Sequence, residues 1–140
     1  MIQRVVAIGL KIPDNEAYTA LVTLQRLGVA VERLERCEIW QLDDTGDGSS
    51  IGGRIEANEA IFNPNKHRLR PLEQATPRAG EVWIDRIGED ADVRIAGVAH
   101  ARRYVGWRLF GADDAPVHRD VVVAAVERLL CNPAIEKALY

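Results

Sequence analysis

Two periods alternate along this chain, and the points where one gives way to the other mark its elements. Residues 4–11 carry Val5, Val6, Ile8 and Leu10 in an apolar, β-favouring run that Pro13 closes, which predicts a strand. The period then becomes helical. Ala17, Ala20, Leu21, Leu24 and Leu27 fall on one stripe, Asp14 stands where a carboxylate would accept from the free N–H groups of a first turn, and Gly28 supplies a left-handed stop. Residues 29–42 predict a second, longer strand. Its alternation is interrupted by Glu32, Arg33, Glu35 and Arg36, with Trp40 and Leu42 on one face and Cys37 and Ile39 on the other. Residues 43–50 read as a loop. A second helix is expected over 51–62, with Ile51, Ile55 and Phe62 at helical spacing and Asn63-Pro64 ending it.

The second half repeats parts of this pattern less regularly. Residues 66–79 are polar, carry Pro71 and Pro77, and predict a crossing linker that holds a short edge strand at 67–72. Strands are expected at 81–87, weakly at 93–98, and at 104–110. A turn at 112–116 then leads into a helix over 117–131 whose inward residues are Val122, Ala125, Val126, Leu129 and Leu130. Asn132 is placed to cap a final short turn opened by Pro133. Glu38-Ile39-Trp40-Gln41-Leu42 is echoed by Val105-Gly106-Trp107-Arg108-Leu109, and Ile61-Phe62-Asn63-Pro64 by Leu130-Cys131-Asn132-Pro133. These echoes divide the chain into two diverged half-repeats, 1–70 and 71–140, within one compact unit. The second lacks room for a full counterpart of the first helix.

Composition narrows the class. With 140 residues, 47% hydrophobic and 28% charged, the chain is globular in make-up, and an aromatic content of 6% leaves the core to aliphatic side chains. A net charge of -3 argues against nucleic acid as a general partner. The absence of a long apolar run argues against a membrane span, and the start of the chain lacks a signal-peptide pattern, so a cytoplasmic protein is expected.

Candidate chemistry is sparse. Asp43, Thr45, Asp47 and Gly48 match the opening of a calcium loop, but Arg54 stands where the bidentate Glu is required. The glycines 46, 48, 52 and 53 do not complete a phosphate-binding fingerprint. His67, His100 and His118 are scattered without ligand spacing, and Cys37 and Cys131 read as buried free thiols. No catalytic residue, metal or cofactor is therefore assigned. Lys66-His67-Arg68 with Arg70, and Arg102-Arg103, are short basic clusters suited to an anion or an acidic partner surface.

Val5-Val6-Ala7-Ile8-Gly9-Leu10-Lys11 with its following Pro-Asp turn, the helix end Leu27-Gly28, the strand after it, and Leu129-Leu130-Cys131-Asn132-Pro133-Ala134-Ile135-Glu136 together resemble the PurS family. That family is the small subunit of formylglycinamide ribonucleotide amidotransferase (phosphoribosylformylglycinamidine synthase) in purine biosynthesis. The chain departs from it at Pro13-Asp14-Asn15-Glu16, where relatives show Asp-Pro-x-Gly. It departs again at Glu35-Arg36-Cys37-Glu38, where Arg-x-Gly-Lys is usual, and it is about twice a relative's length.

The resemblance implies an α+β, ferredoxin-like antiparallel sheet with about three helices on one face. It also implies a non-catalytic subunit that bridges a PurL-like synthetase and a PurQ-like glutaminase, with homo-oligomerisation open. The expected partner- or anion-binding residues are Lys11, Arg36, Asn63, Lys66, Arg68 and Asn132. The alternative is a stand-alone small-molecule or regulatory binding module on the same fold.

Overall fold

The structure, a computed structural model, describes residues 1–46, 50–87 and 93–140. Among them the chain is α+β: β1 (Ile2–Leu10), α1 (Asn15–Arg26), β2 (Arg33–Asp44), α2 (Ile51–Glu56), β3 (His67–Leu72), β4 (Glu81–Arg86), β5 (Val98–Phe110), α3 (Arg119–Ala125), a π-helical turn (Val126–Leu130) and β6 (Glu136–Leu139). The strands form an antiparallel sheet in the order β3-β1-β2-β5-β4-β6. In each half of the sequence the first strand is central: β1 pairs with β2 and β3, and β4 with β5 and β6.

The chain resolves into two compact units, each interleaved from three segments. One takes Met1–Pro13, Cys37–Ala75 and Glu89–Tyr104, the other Asp14–Arg36, Thr76–Gly88 and Val105–Tyr140. The first has a core of Val6, Ile8, Trp40, Leu42, Ile55, Ile61, Phe62 and Ile95. Trp40, Leu42 and Ile55 are fully enclosed there, as expected for one strand face meeting a helix stripe. The second is larger and is built on Leu24, Val31, Val82, Ile84, Leu109, Val122 and Ala125. The strand registers match between the cores: Val6 lies opposite Trp40 in the first, and Val82 opposite Trp107 in the second.

Helix α1 forms where the stripe and caps predict it. Asp14 accepts from the N–H groups of Glu16 (3.1 Å) and Ala17 (3.0 Å), and Gly28 follows the last turn at φ 82°. Ala17 and Leu24 are buried, while Leu27, on the predicted stripe, is exposed because it lies in the C-cap.

Several predicted elements are corrected. Helix α2 stops at Glu56, well short of Phe62. Asn58 breaks it, because its Oδ1 accepts from the N–H of Ala60 (3.0 Å) and folds the chain into a local turn. Ile61 and Phe62 reach the core from that turn. The weak strand at 93–98 is not formed in its described part before Val98; Ile95 enters the core from irregular chain, and β5 runs unbroken from Val98. The last helix changes period: at the π-turn the N–H of Cys131 reaches back to the carbonyl of Val126 (3.3 Å). That extra residue turns Leu130 into the core and leaves Leu129 exposed, against the expectation. Strand β6 was not foreseen. Its Glu-Lys-Ala-Leu sequence favours helix, and pairing with β4 overrides that preference. The acidic loop at 43–50 begins later than predicted, since β2 extends to Asp44, and its Asp47 and Gly48 lie outside the described residues.

Candidate functional site

Four of the six residues singled out above meet at one end of β1 and β3. The N–H of Lys11 donates to the carbonyl of Lys66 (2.7 Å), its Nζ donates to the carbonyl of Pro64 (3.0 Å), and Arg68 lies opposite Gly9 in the register. Asn63 organises the turn between α2 and β3. Its Oδ1 accepts from the N–H of Asn65 (2.9 Å), its carbonyl accepts from those of Lys66 (3.0 Å) and His67 (2.8 Å), and its own N–H donates to Nδ1 of His67 (2.9 Å). Because Nδ1 accepts, the neutral imidazole carries its hydrogen on Nε2. The ring also packs against Phe62, centroids 5.8 Å apart.

Asn132 builds the same turn in the other unit. Its Oδ1 accepts from the N–H of Ala134 (3.1 Å), its carbonyl from those of Ile135 (3.1 Å) and Glu136 (2.8 Å), and its N–H donates to Oε1 of Glu136 (2.9 Å). Each turn delivers the chain into a strand whose first residue, His67 or Glu136, supplies the acceptor. Asn63-Pro64 thus opens a strand rather than ending a helix. The matching main-chain bonds to the central strands are Lys11 to Lys66 and Ile87 to Ile135, at 2.7 and 2.8 Å.

Arg36 is committed within its unit. Its guanidinium donates to Asp14 through Nε (3.1 Å) and Nη2 (3.3 Å) and to Glu16 through Nη1, and it sits 5.9 Å from the Trp107 ring centroid. The charge reversal at Glu35 and Glu38 therefore accompanies an arginine that ties β2 to the α1 N-cap.

A feature not read from the sequence is the pairing of Asp44 with Arg54. Both side chains are almost fully buried. Asp44 accepts from Arg54 (2.9 Å) and from the N–H of Gly46 (2.9 Å), with Arg4 at 3.8 Å. Arg54 also donates to the carbonyl of Ala96 (2.8 Å). The hydrogen bond from Arg54, then that from Gly46, holds the Asp44 carboxyl below its usual range. Nothing in the spacing of these residues announces the pair, because each reads as an ordinary surface charge.

Two clefts lie near these groups, one in each unit. The first, about 730 Å³, is bordered by Gln3, Arg4, Asp44, Ser50, Leu72 and Gln74. The second, about 380 Å³, is lined by Val105, Trp107 and Leu129 together with Thr19, Thr23 and Arg36. Neither Cys37 nor Cys131 is in a disulfide, and both are half-buried rather than buried. Desolvation, then the charge of Glu136, raises the Cys131 thiol, which keeps it protonated and poorly nucleophilic. Among the described residues no His, Cys, Asp and Glu side chains gather as a metal-binding group, and no helix is long and apolar enough to cross a membrane. No family model matches the chain, and no curated protein matches it.

Proposed function

We propose that this chain is a non-catalytic, PurS-like assembly subunit, a fused and diverged pair of ferredoxin-like halves that bridges a PurL-like synthetase and a PurQ-like glutaminase in purine biosynthesis. The observation that carries the reading is the Asn-Pro turn. The residues that underlie the resemblance, Asn132 to Glu136, form a closed set of hydrogen bonds, and Asn63 to His67 form the same set in the other half. Shared sequence alone does not require that repetition. Shared strand register at Val6 with Trp40 and Val82 with Trp107 supports the duplication independently. A fused pair holds in one chain the association that separate small subunits achieve in the family.

The test is affinity capture of the tagged chain from its native cell extract, with and without glutamine and nucleotide. Recovery of a synthetase and a glutaminase in fixed ratio, with glutamine-dependent amidotransferase activity in the eluate, is the expected result. An eluate holding neither enzyme under any of these conditions sinks the reading.

The cleft of about 730 Å³ favours the second reading, a small-molecule or regulatory module, since its size falls in the range of ligand sites. A thermal shift with a metabolite panel, in the absence of partner capture, is its expected signature.

A further inference from the structure

We infer that β3 and its approach form a docking strip for an acidic polypeptide segment, held by side-chain charge rather than by strand addition. The inference deepens the assembly reading and rests on it only for the identity of the partner.

Lys11, Lys66, Arg68 and Arg70 are all exposed. The side chains of Lys66, Arg68 and Arg70 make no ion pair among the described residues, and Lys11 spends its ammonium on a neutral carbonyl. By contrast, Arg33, Arg36, Arg54 and Arg78 each hold a carboxylate. Four exposed cations lie together at one edge of a chain whose net charge is -3. Arg68 and Arg70 stand on one face of the sheet opposite Gly9 and Ala7, the smallest side chains available. A Cβ placed on Gly9 would meet only Cys37 Cβ, at 4.0 Å. Neither register partner on β1 carries a side chain large enough to cover the two guanidinium groups, and both arginines are exposed.

The edge itself is closed to strand addition. The bond from Lys11 N–H to the Lys66 carbonyl fixes the alternation of the ladder, so that Arg68, Arg70 and Leu72 bond inward to β1 while His67, Leu69 and Pro71 direct their backbone outward. Pro71 has no N–H, and that of His67 is already given to Asn63. Leu69 alone offers an outward donor. Charged side chains must supply the affinity. The β6 strand carries Glu136 and Lys137 at the start of the equivalent strand, so the halves have diverged in charge where they agree in turn geometry. An identical pair would present two like edges; the fused pair presents one basic edge.

The probe is a fluorescein-labelled peptide of alternating Glu and Ser, titrated with the full chain by anisotropy at low and at physiological salt. Parallel titrations use an oligodeoxynucleotide of the same charge, the R68E/R70E variant, and R26E/R94E, which has the same net charge but an intact strip. The expected result is peptide binding that R68E/R70E weakens about tenfold or more and R26E/R94E leaves within about twofold, with affinity falling as salt screens the strip. Equal loss in both variants, stronger binding of the oligonucleotide, or no peptide binding by the wild-type chain at low salt overturns the proposal. Peptide binding with no synthetase or glutaminase captured from extract leaves the strip standing and removes the assembly reading.

Discussion

At the scale of single residues, polar side chains close two matching chain reversals. His67 is an example, since its Nδ1 closes the Asn63 turn as the Glu136 carboxylate closes the Asn132 turn. We expect His67→Ala to lower stability by about 1 kcal/mol and His67→Glu to retain most of it, because the acceptor survives. Urea denaturation of the two variants separates these outcomes; equal losses discount the bond. Asp44 supplies a pH dependence. Its folded carboxyl titrates below its ordinary value of 3.8, so it contributes stability that is present above that pH and is lost as the pH falls through the folded value. Asp44→Asn is expected to be less stable at neutral pH and to show a shallower fall in unfolding midpoint below about pH 4. A parallel fall in both proteins counts against the pair. The sequence concealed both residues for one reason. A histidine and an aspartate outside any motif look like surface groups until the fold supplies the N–H or the guanidinium that each one meets.

At the scale of elements, the periods in the sequence placed β1, α1, β2, β4 and the edge strand β3, because in each a local pattern agrees with the tertiary setting. The errors fall where local and tertiary preferences disagree. Helix α2 was overextended because apolar spacing continues past Asn58, although the backbone turns there. Strand β6 was missed because its residues prefer helix, and the last helix was misphased because a π-turn leaves no mark on the spacing. The six candidate contact residues were partly legible: four converge at β1 and β3, while Arg36 is taken up by Asp14 and Glu16. The junction into β4 makes a sharp prediction. Gly80 adopts φ 71°, and a Cβ there would stand 2.8 Å from the Leu109 carbonyl oxygen and 2.9 Å from Pro116 Cβ. Gly80→Ala therefore meets both backbone strain and a clash that backbone cannot relieve, and we expect a loss of about 2 kcal/mol or more. A melting temperature within a degree or so of wild type would falsify this assignment.

At the scale of the whole molecule, the proposed repeat and the compact units cut the chain differently. The repeat proposed from the sequence would divide it into consecutive halves, whereas each unit draws segments from both. The first unit needs residues 89–104 from the later half, and the second needs α1 and residues up to Arg36 from the earlier one. Neither half should fold alone. We expect fragments 1–75 and 76–140 to be unstructured separately and to regain strand and helix signals by circular dichroism when mixed. A cooperative melt from either fragment by itself contradicts this interleaving.

The same interleaving has a consequence for synthesis. A growing chain on the ribosome completes β1 to β3 early, but the unit they belong to still awaits residues 89–104. The α1 helix, which emerges among the first segments, waits for the last ones, 105–140, to close its own core. Apolar faces such as Leu24 and Trp40 stay uncovered while those residues are made, so nascent-chain chaperones have their longest access to these faces before residues 105–140 emerge.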